Sequence, residues 1–238
     1  LVRVDTDTKK ARLFVLNDSA DFVGVSTLAK TRALIKQAAH TSLPAREAPC
    51  HWLAYDTAQA VVVGIPEFSE MSSLQFEALR NYVARGGNLV FVHPQGTLAA
   101  AGTPLRDLLP VTPLRVRQIE DCPGLEAWGR HQDALLNSVA EKLDGPRKVL
   151  ADEEGFPFLE SVARADAITP LRNGEFPVTS WRRFGIGRVG VIAVNPCTDL
   201  MWSSRCAYAV WNHILAWTHP AFALTHPYNG RALPKILS

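Results

Sequence analysis

The side chains best suited to chemistry in this sequence are His93 in GGNLVFVHPQGT (Gly86–Thr97) and the trio Asn195, Cys197 and Asp199 in VNPCTD. Each group follows an apolar run that reads as a buried strand, and α/β folds keep their reactive groups where strands end. A thiol beside an imidazole is a nucleophile with its base: the ring takes the proton and the thiolate attacks. His93 with Cys197, aided by Asn195 or Asp199, is therefore the arrangement a hydrolase or carbohydrate-processing enzyme would use. The bland alternative has His93 hydrogen-bonding a backbone carbonyl in a disused pocket while Cys197 packs as a small apolar group. Ligand or sugar binding through His93, Gln95 and Asn195 is a third use of the same cleft.

Other candidate motifs are weaker. GIGRVG (Gly185–Gly190) matches the dinucleotide-binding letters, but that mechanism needs a helix N-terminus after the glycines. Here Val191, Ile192 and Val194 continue a β-branched strand, so GIG reads as a hairpin turn and no cofactor is expected. Asp152–Glu154 look like paired carboxylates but precede Gly155 and Pro157, which suggests a solvated loop. Cys50, Cys122, Cys197 and Cys206 lack C-x-x-C spacing and a His partner at metal-ligand spacing, so no metal is expected. They read as buried small side chains, with a Cys197–Cys206 disulfide left open. His131, His213, His219 and His226 are scattered, the last two each before a proline. Arg182 and Arg183 read as strand-face charge, and Trp181 beside them has a face on which a sugar could stack.

These groups need a scaffold. ARLFVLND (Ala11–Asp18) reads as a buried strand, and Val25–His40 has helix-favouring composition. Gln59–Phe68 carries three successive valines and Ile65, a strand closed near Pro66. Ser72–Gly87 is the clearest helix. Ser72 and Gln75 have capping-box spacing, Leu74, Ala78, Leu79, Tyr82 and Val83 form one apolar stripe, and Gly86-Gly87 stop it. NLVFVHP follows as another strand. Strand–helix repetition with short links implies right-handed crossovers and a mostly parallel sheet covered on both faces. From Thr103 the pattern turns Pro-punctuated and antiparallel until about residue 185, interrupted by a helix at His131–Leu143. Gly187–Pro196 returns to a buried strand, and Ser203–Trp217 closes as a helix. Trp202, Trp211 and Trp217 there read as core or as a partner-facing surface.

The chain has 238 residues, 47% of them hydrophobic and 20% charged, the balance of a globular domain with a sizeable core. Its net charge of +2 is too small to argue for nucleic acid, and no apolar run approaches a membrane span. LVRVDTDTKK has neither a signal-peptide pattern nor an initiating Met. Residues 1–10 read as the tail of an upstream segment, 11–218 as the domain and 219–238 as a C-terminal extension. Other domains of the same polypeptide, or further copies in a homo-oligomer, are the expected partners.

Three stretches carry a family resemblance: AVVVGIPEFSEMSSLQFEALRNYVARGGNLVFV, TPLRDLLPV and FGIGRVGVIAVNP. In that order they resemble the class I glutamine amidotransferase-like superfamily, from about Ala11 to Trp217. The likeness is to a divergent branch that includes the trimerisation domain of certain β-galactosidases and trehalose-utilisation-type proteins. It implies a flavodoxin-like three-layer α/β sandwich with a mostly parallel central sheet and an inserted antiparallel β region. Working members use a Cys-His-Glu triad, the Cys on a strained turn after a central strand. His93 stands at the Cys position, Asn195 at that of the His and Cys197 at that of the Glu. The resemblance thus implies a non-catalytic structural, assembly or ligand-binding module rather than a glutaminase.

Overall fold

The computed structural model describes residues 11–17, 38–137, 149–204 and 206–218. The expected tail at 1–10, the extension at 219–238 and most of the helix read at 25–40 lie outside the described residues. A seven-stranded sheet organises the molecule. Its strands, in chain order, are β1 (Ala11–Leu16), β2 (Ala38–Leu43), β3 (Ala60–Val63), β4 (Asn88–Phe91), β7 (Ile168–Asn173), β8 (Phe176–Phe184) and β9 (Gly187–Ile192). Their spatial order is β2-β1-β3-β4-β9-β8-β7. The pairs from β2 to β9 are parallel, whereas β8 and β7 add antiparallel. The remaining strands, β5 (Val111–Asp121) and β6 (Ala151–Ala163), form a separate antiparallel ribbon. The architecture is mixed α/β.

The central strands are apolar because both of their faces are covered. Every residue of β3 is buried, as are Leu89, Val90 and Phe91 of β4. A fully buried Val, Leu or Phe side chain stabilises by about 1.5–3 kcal/mol. Helix α1 (Ser73–Ala84) covers part of this sheet. Its capping box forms as its spacing implies, Ser72 Oγ accepting from Gln75 N–H while Gln75 Oε1 accepts from Ser72 N–H. Leu74 departs from the expected stripe and is exposed, and Gln75 points inward in its place. Gln75 Nε2 donates to the carbonyls of Ala45, Arg46 and Ala48, so a polar side chain takes a core position by pinning the preceding loop. Gly86, at φ 114°, then supplies the left-handed residue that ends the helix.

Several expected boundaries move. Residues 38–40, read as the end of a helix, belong to β2, whose backbone pairs with β1 from Ala38↔Ala11 to Leu43↔Leu16. A sheet-edge strand needs no apolar alternation, so AAHTSL carries little strand signal. Helix α3 (Pro123–Asn137) starts eight residues before the expected His131, with Pro123 in its first turn and the Cys122 carbonyl accepting from Glu126 N–H. Asp152–Glu154 are not a loop: they lie in β6, where register jumps from Ile119↔Phe156 to Asp121↔Ala151 beside Gly155 at φ 76°. FLESVARADAITPL, which reads in sequence as a strand, divides between β6 and β7. The GIG turn is confirmed as a hairpin, Phe184 pairing with Gly187 across Gly185 at φ 60°. The last helical stretch splits into α4 (Asp199–Ser203) and α5 (Cys206–Thr218), and Trp211 of α5 is core.

Candidate functional site

Adjacent parallel pairing of β4 with β9, ending at Phe91↔Val191, carries His93 and Asn195 out of neighbouring strands at one end of the sheet. The sequence likewise has both segments leaving strand ends. Their side chains, however, are spent locally. His93 is the N-cap of helix α2 (Pro94–Ala100), at φ −120° and ψ 119°, and its Nδ1 accepts from Gly96 N–H at 3.2 Å. Its carbonyl accepts from the amide and the hydroxyl of Thr97 at 2.8 and 2.9 Å. The expected bond from His93 to a backbone carbonyl is therefore reversed: the ring is an acceptor, because a helix start offers free N–H groups. Pro94 occupies the first helical position, where its missing donor costs nothing.

Burial lowers the pKa of His93 below its ordinary value. The ring is thus neutral at neutral pH, and the bond to Nδ1 leaves its proton on Nε2. A paired carboxylate or thiolate would act in the opposite sense. Among the described residues no hydrogen bond or ion pair joins His93 to Asn195, Cys197 or Asp199. Asn195 Oδ1 accepts from Cys197 N–H at 2.9 Å and so closes its own turn. Cys197 is 4% exposed, Asp199 is exposed in the first turn of α4, and Gln95 is exposed on α2.

The space around this turn is tightly filled on one side. A Cβ added to Gly96 would lie 1.9 Å from the carbonyl oxygen of Ile65, just beyond β3, so α2 sits directly on that backbone. Past β9, Leu159 N–H donates to the Ala193 carbonyl at 2.8 Å and Phe158 bridges to Val194, bringing β6 across the strand end. Helix α2 packs against both β5 and β6. The Gly96 N–H at this helix start is occupied by His93 itself.

The other candidates resolve as follows. None of the four cysteines is in a disulfide; Cys122, Cys197 and Cys206 are buried as expected, but Cys50 is exposed. Burial pushes the Cys122 thiol up to about 12, which suits packing rather than attack. Arg182 pairs with Asp166 at 3.1 Å, and the Arg188 guanidinium lies 5.4 Å from the Trp181 ring centroid, covering a face that a sugar would need. Two features had no sequence signal. Glu160 on β6 is a buried carboxylate held by Arg115 at 2.6 Å and Arg117 at 2.9 Å from β5, visible only once the two strands are in register. A pocket of about 280 Å³ opens where β3 and β4 begin, lined by Trp52, Asp56, Gln59, Tyr82, Arg85 and Asn88. Most of its polar groups serve the fold: Tyr82 Oη donates to the Ala58 carbonyl, and Asn88 Nδ2 donates to that of Gln59.

No protein-family model and no curated protein matches the sequence. Solved structures do match. A cytoplasmic protein of Salmonella typhimurium LT2 superposes with a TM-score of 0.56 at 15% identity, covering 88% of this chain and 100% of the other. A second cytoplasmic protein of Salmonella typhimurium gives 0.51 at 14%, covering 84% and 98%. The exo-β-1,4-mannosidase of Opitutaceae bacterium strain TAV5 gives 0.51 at 11%, covering 87% of this chain and 36% of the mannosidase. At these identities the likeness is one of fold. No described helix is long and apolar enough to cross a membrane.

Proposed function

We propose that the chain is a non-catalytic, amidotransferase-like α/β module with a structural, assembly or ligand-binding role beside other domains. One observation carries this reading: at the turn after the central strand β4, the imidazole that would do chemistry caps the helix that would receive the substrate. The parallel strand order β2-β1-β3-β4-β9 supports a flavodoxin-like three-layer arrangement and hence the amidotransferase-like ancestry. The match to 36% of a mannosidase supports a role as a module of something larger.

The test is substitution of His93 with two readouts. His93→Ala removes the cap and lowers stability by about 1 kcal/mol, whereas His93→Asn or His93→Ser restores most of it. Amidase, glutaminase and glycosidase assays give no turnover that depends on His93. A turnover present in the native chain, abolished in His93→Ala and not rescued by His93→Asn, refutes the proposal.

A further inference from the structure

The β5–β6 ribbon has a charged edge whose pattern is complementary to itself. Among the described residues β5 pairs only with β6. The phase of that pairing is fixed by β6. Leu159 N–H turns away from β5 to reach the Ala193 carbonyl, and Pro157 has no N–H to give. Leu159 faces Val116 and Pro157 faces Gln118, so both are wide, non-hydrogen-bonded pairs. The backbone N–H and C=O groups of Val116 and Gln118 therefore point to the open edge. The register shift near Leu114 falls on the β5 side and the one at residues 152–155 on the β6 side, which leaves β5 regular from Arg115 to Asp121.

Along that regular stretch the charges separate. Arg115 and Arg117 lie at one end; Glu120 and Asp121 lie at the other, next to Asp152, Glu153 and Glu154 of β6. All four charged residues of β5, and Gln118 between them, are exposed. Glu160 neutralises one of the two arginines, so the basic end keeps a net positive charge. Antiparallel pairing of two copies about an axis through Gln118 sets Arg115 opposite the partner's Asp121, twice over. Gln118 N–H and C=O then exchange bonds with the partner's Gln118. Pairing centred on Arg117 would oppose like charges, which is destabilising.

The geometry points to a two-fold dimer in which the β5 edges of two copies join antiparallel about Gln118. It rests on the assembly role proposed above and names a second copy of the chain as the partner. Sedimentation of the full chain over a dilution series from hundreds of micromolar downward is the measurement. The native chain gives the mass of two copies at high concentration and dissociates more readily in high salt. Gln118→Pro removes the donor on the axis without removing a β5–β6 bond, and yields a monomer with a native circular dichroism spectrum and melting curve. Asp121→Lys, exposed and away from the Glu160 pairs, weakens the dimer roughly tenfold. A native chain that stays monomeric throughout, or a dimer that both variants leave unchanged, overturns the inference. If Gln118→Pro fails to fold, Asp121→Lys decides alone. A monomer would refute strand pairing and leave the His93 reading untouched, because that reading is measured by turnover and cap rescue.

Discussion

Gly96→Ala tests how tightly the turn beside His93 is closed. The added methyl would stand 1.9 Å from the Ile65 carbonyl oxygen, against an ordinary contact of 3.4 Å or more. Because the obstructing atom is backbone, α2 and the end of β3 must separate by about 1.5 Å, and the cost falls near the top of the roughly 1–3 kcal/mol range for overpacking. Alanine's better helix propensity returns about 1 kcal/mol at most. A net loss of about 2 kcal/mol follows, or roughly 4–8 °C in Tm for a domain of this size. Urea denaturation should show a lower midpoint with an unchanged slope. Gly102→Ala is the control: its Cβ would meet only the Ala99 carbonyl at 3.4 Å, so its effect should stay within about 0.5 kcal/mol. If the two variants match, α2 is not seated on Ile65 and that side of the turn is open.

Three further outcomes are expected. Gln75→Leu should cost about 3 kcal/mol in denaturant melts, since it strips the shared donor from the carbonyls of Ala45, Arg46 and Ala48; a neutral effect would mean that water replaces it. Replacing both Arg115 and Arg117 with Ala should cost about 3–5 kcal/mol, more than Glu160→Leu, because the double variant strands a buried charge and the single one frees only exposed arginines. His213, edge-on to Trp128, has its pKa lowered to about 4 by burial, so the unfolded chain takes up its proton first, near pH 6.5, as acid is added. Stability should fall as pH drops from 6.5 toward 4, by about 1–2 kcal/mol at pH 5, and His213→Asn should flatten that slope.

What the sequence revealed depended on whether the responsible signal is local. The capping box of Ser72 with Gln75, the GIG hairpin and the apolar strands β3 and β4 are short-range patterns, and each forms where its residues imply. The edge strand β2 is held by backbone pairing to β1, so AAHTSL shows no side-chain periodicity to read. Gln75 at a core position and Leu74 at an exposed one reverse the usual pattern, because three loop carbonyls far away in sequence reward an inward amide. At the candidate site, the exit of His93 and Asn195 from neighbouring strands was legible. Their engagement was not: which way an imidazole turns depends on whether the next residues start a helix, and Pro94 in the first helical position was the available sign. The Arg115–Glu160–Arg117 cluster depends on strand register, which no single segment encodes.

Everything argued of the turn depends on the His93 ring being a neutral cap on α2. Nitrogen-resolved NMR of the imidazole during a pH titration addresses it directly. A neutral cap carries its proton on Nε2, accepts a hydrogen bond from the Gly96 amide at Nδ1, and has a pKa below 6.5. A proton on Nδ1, or a pKa raised above 6.5 as a thiolate or carboxylate partner would cause, contradicts it.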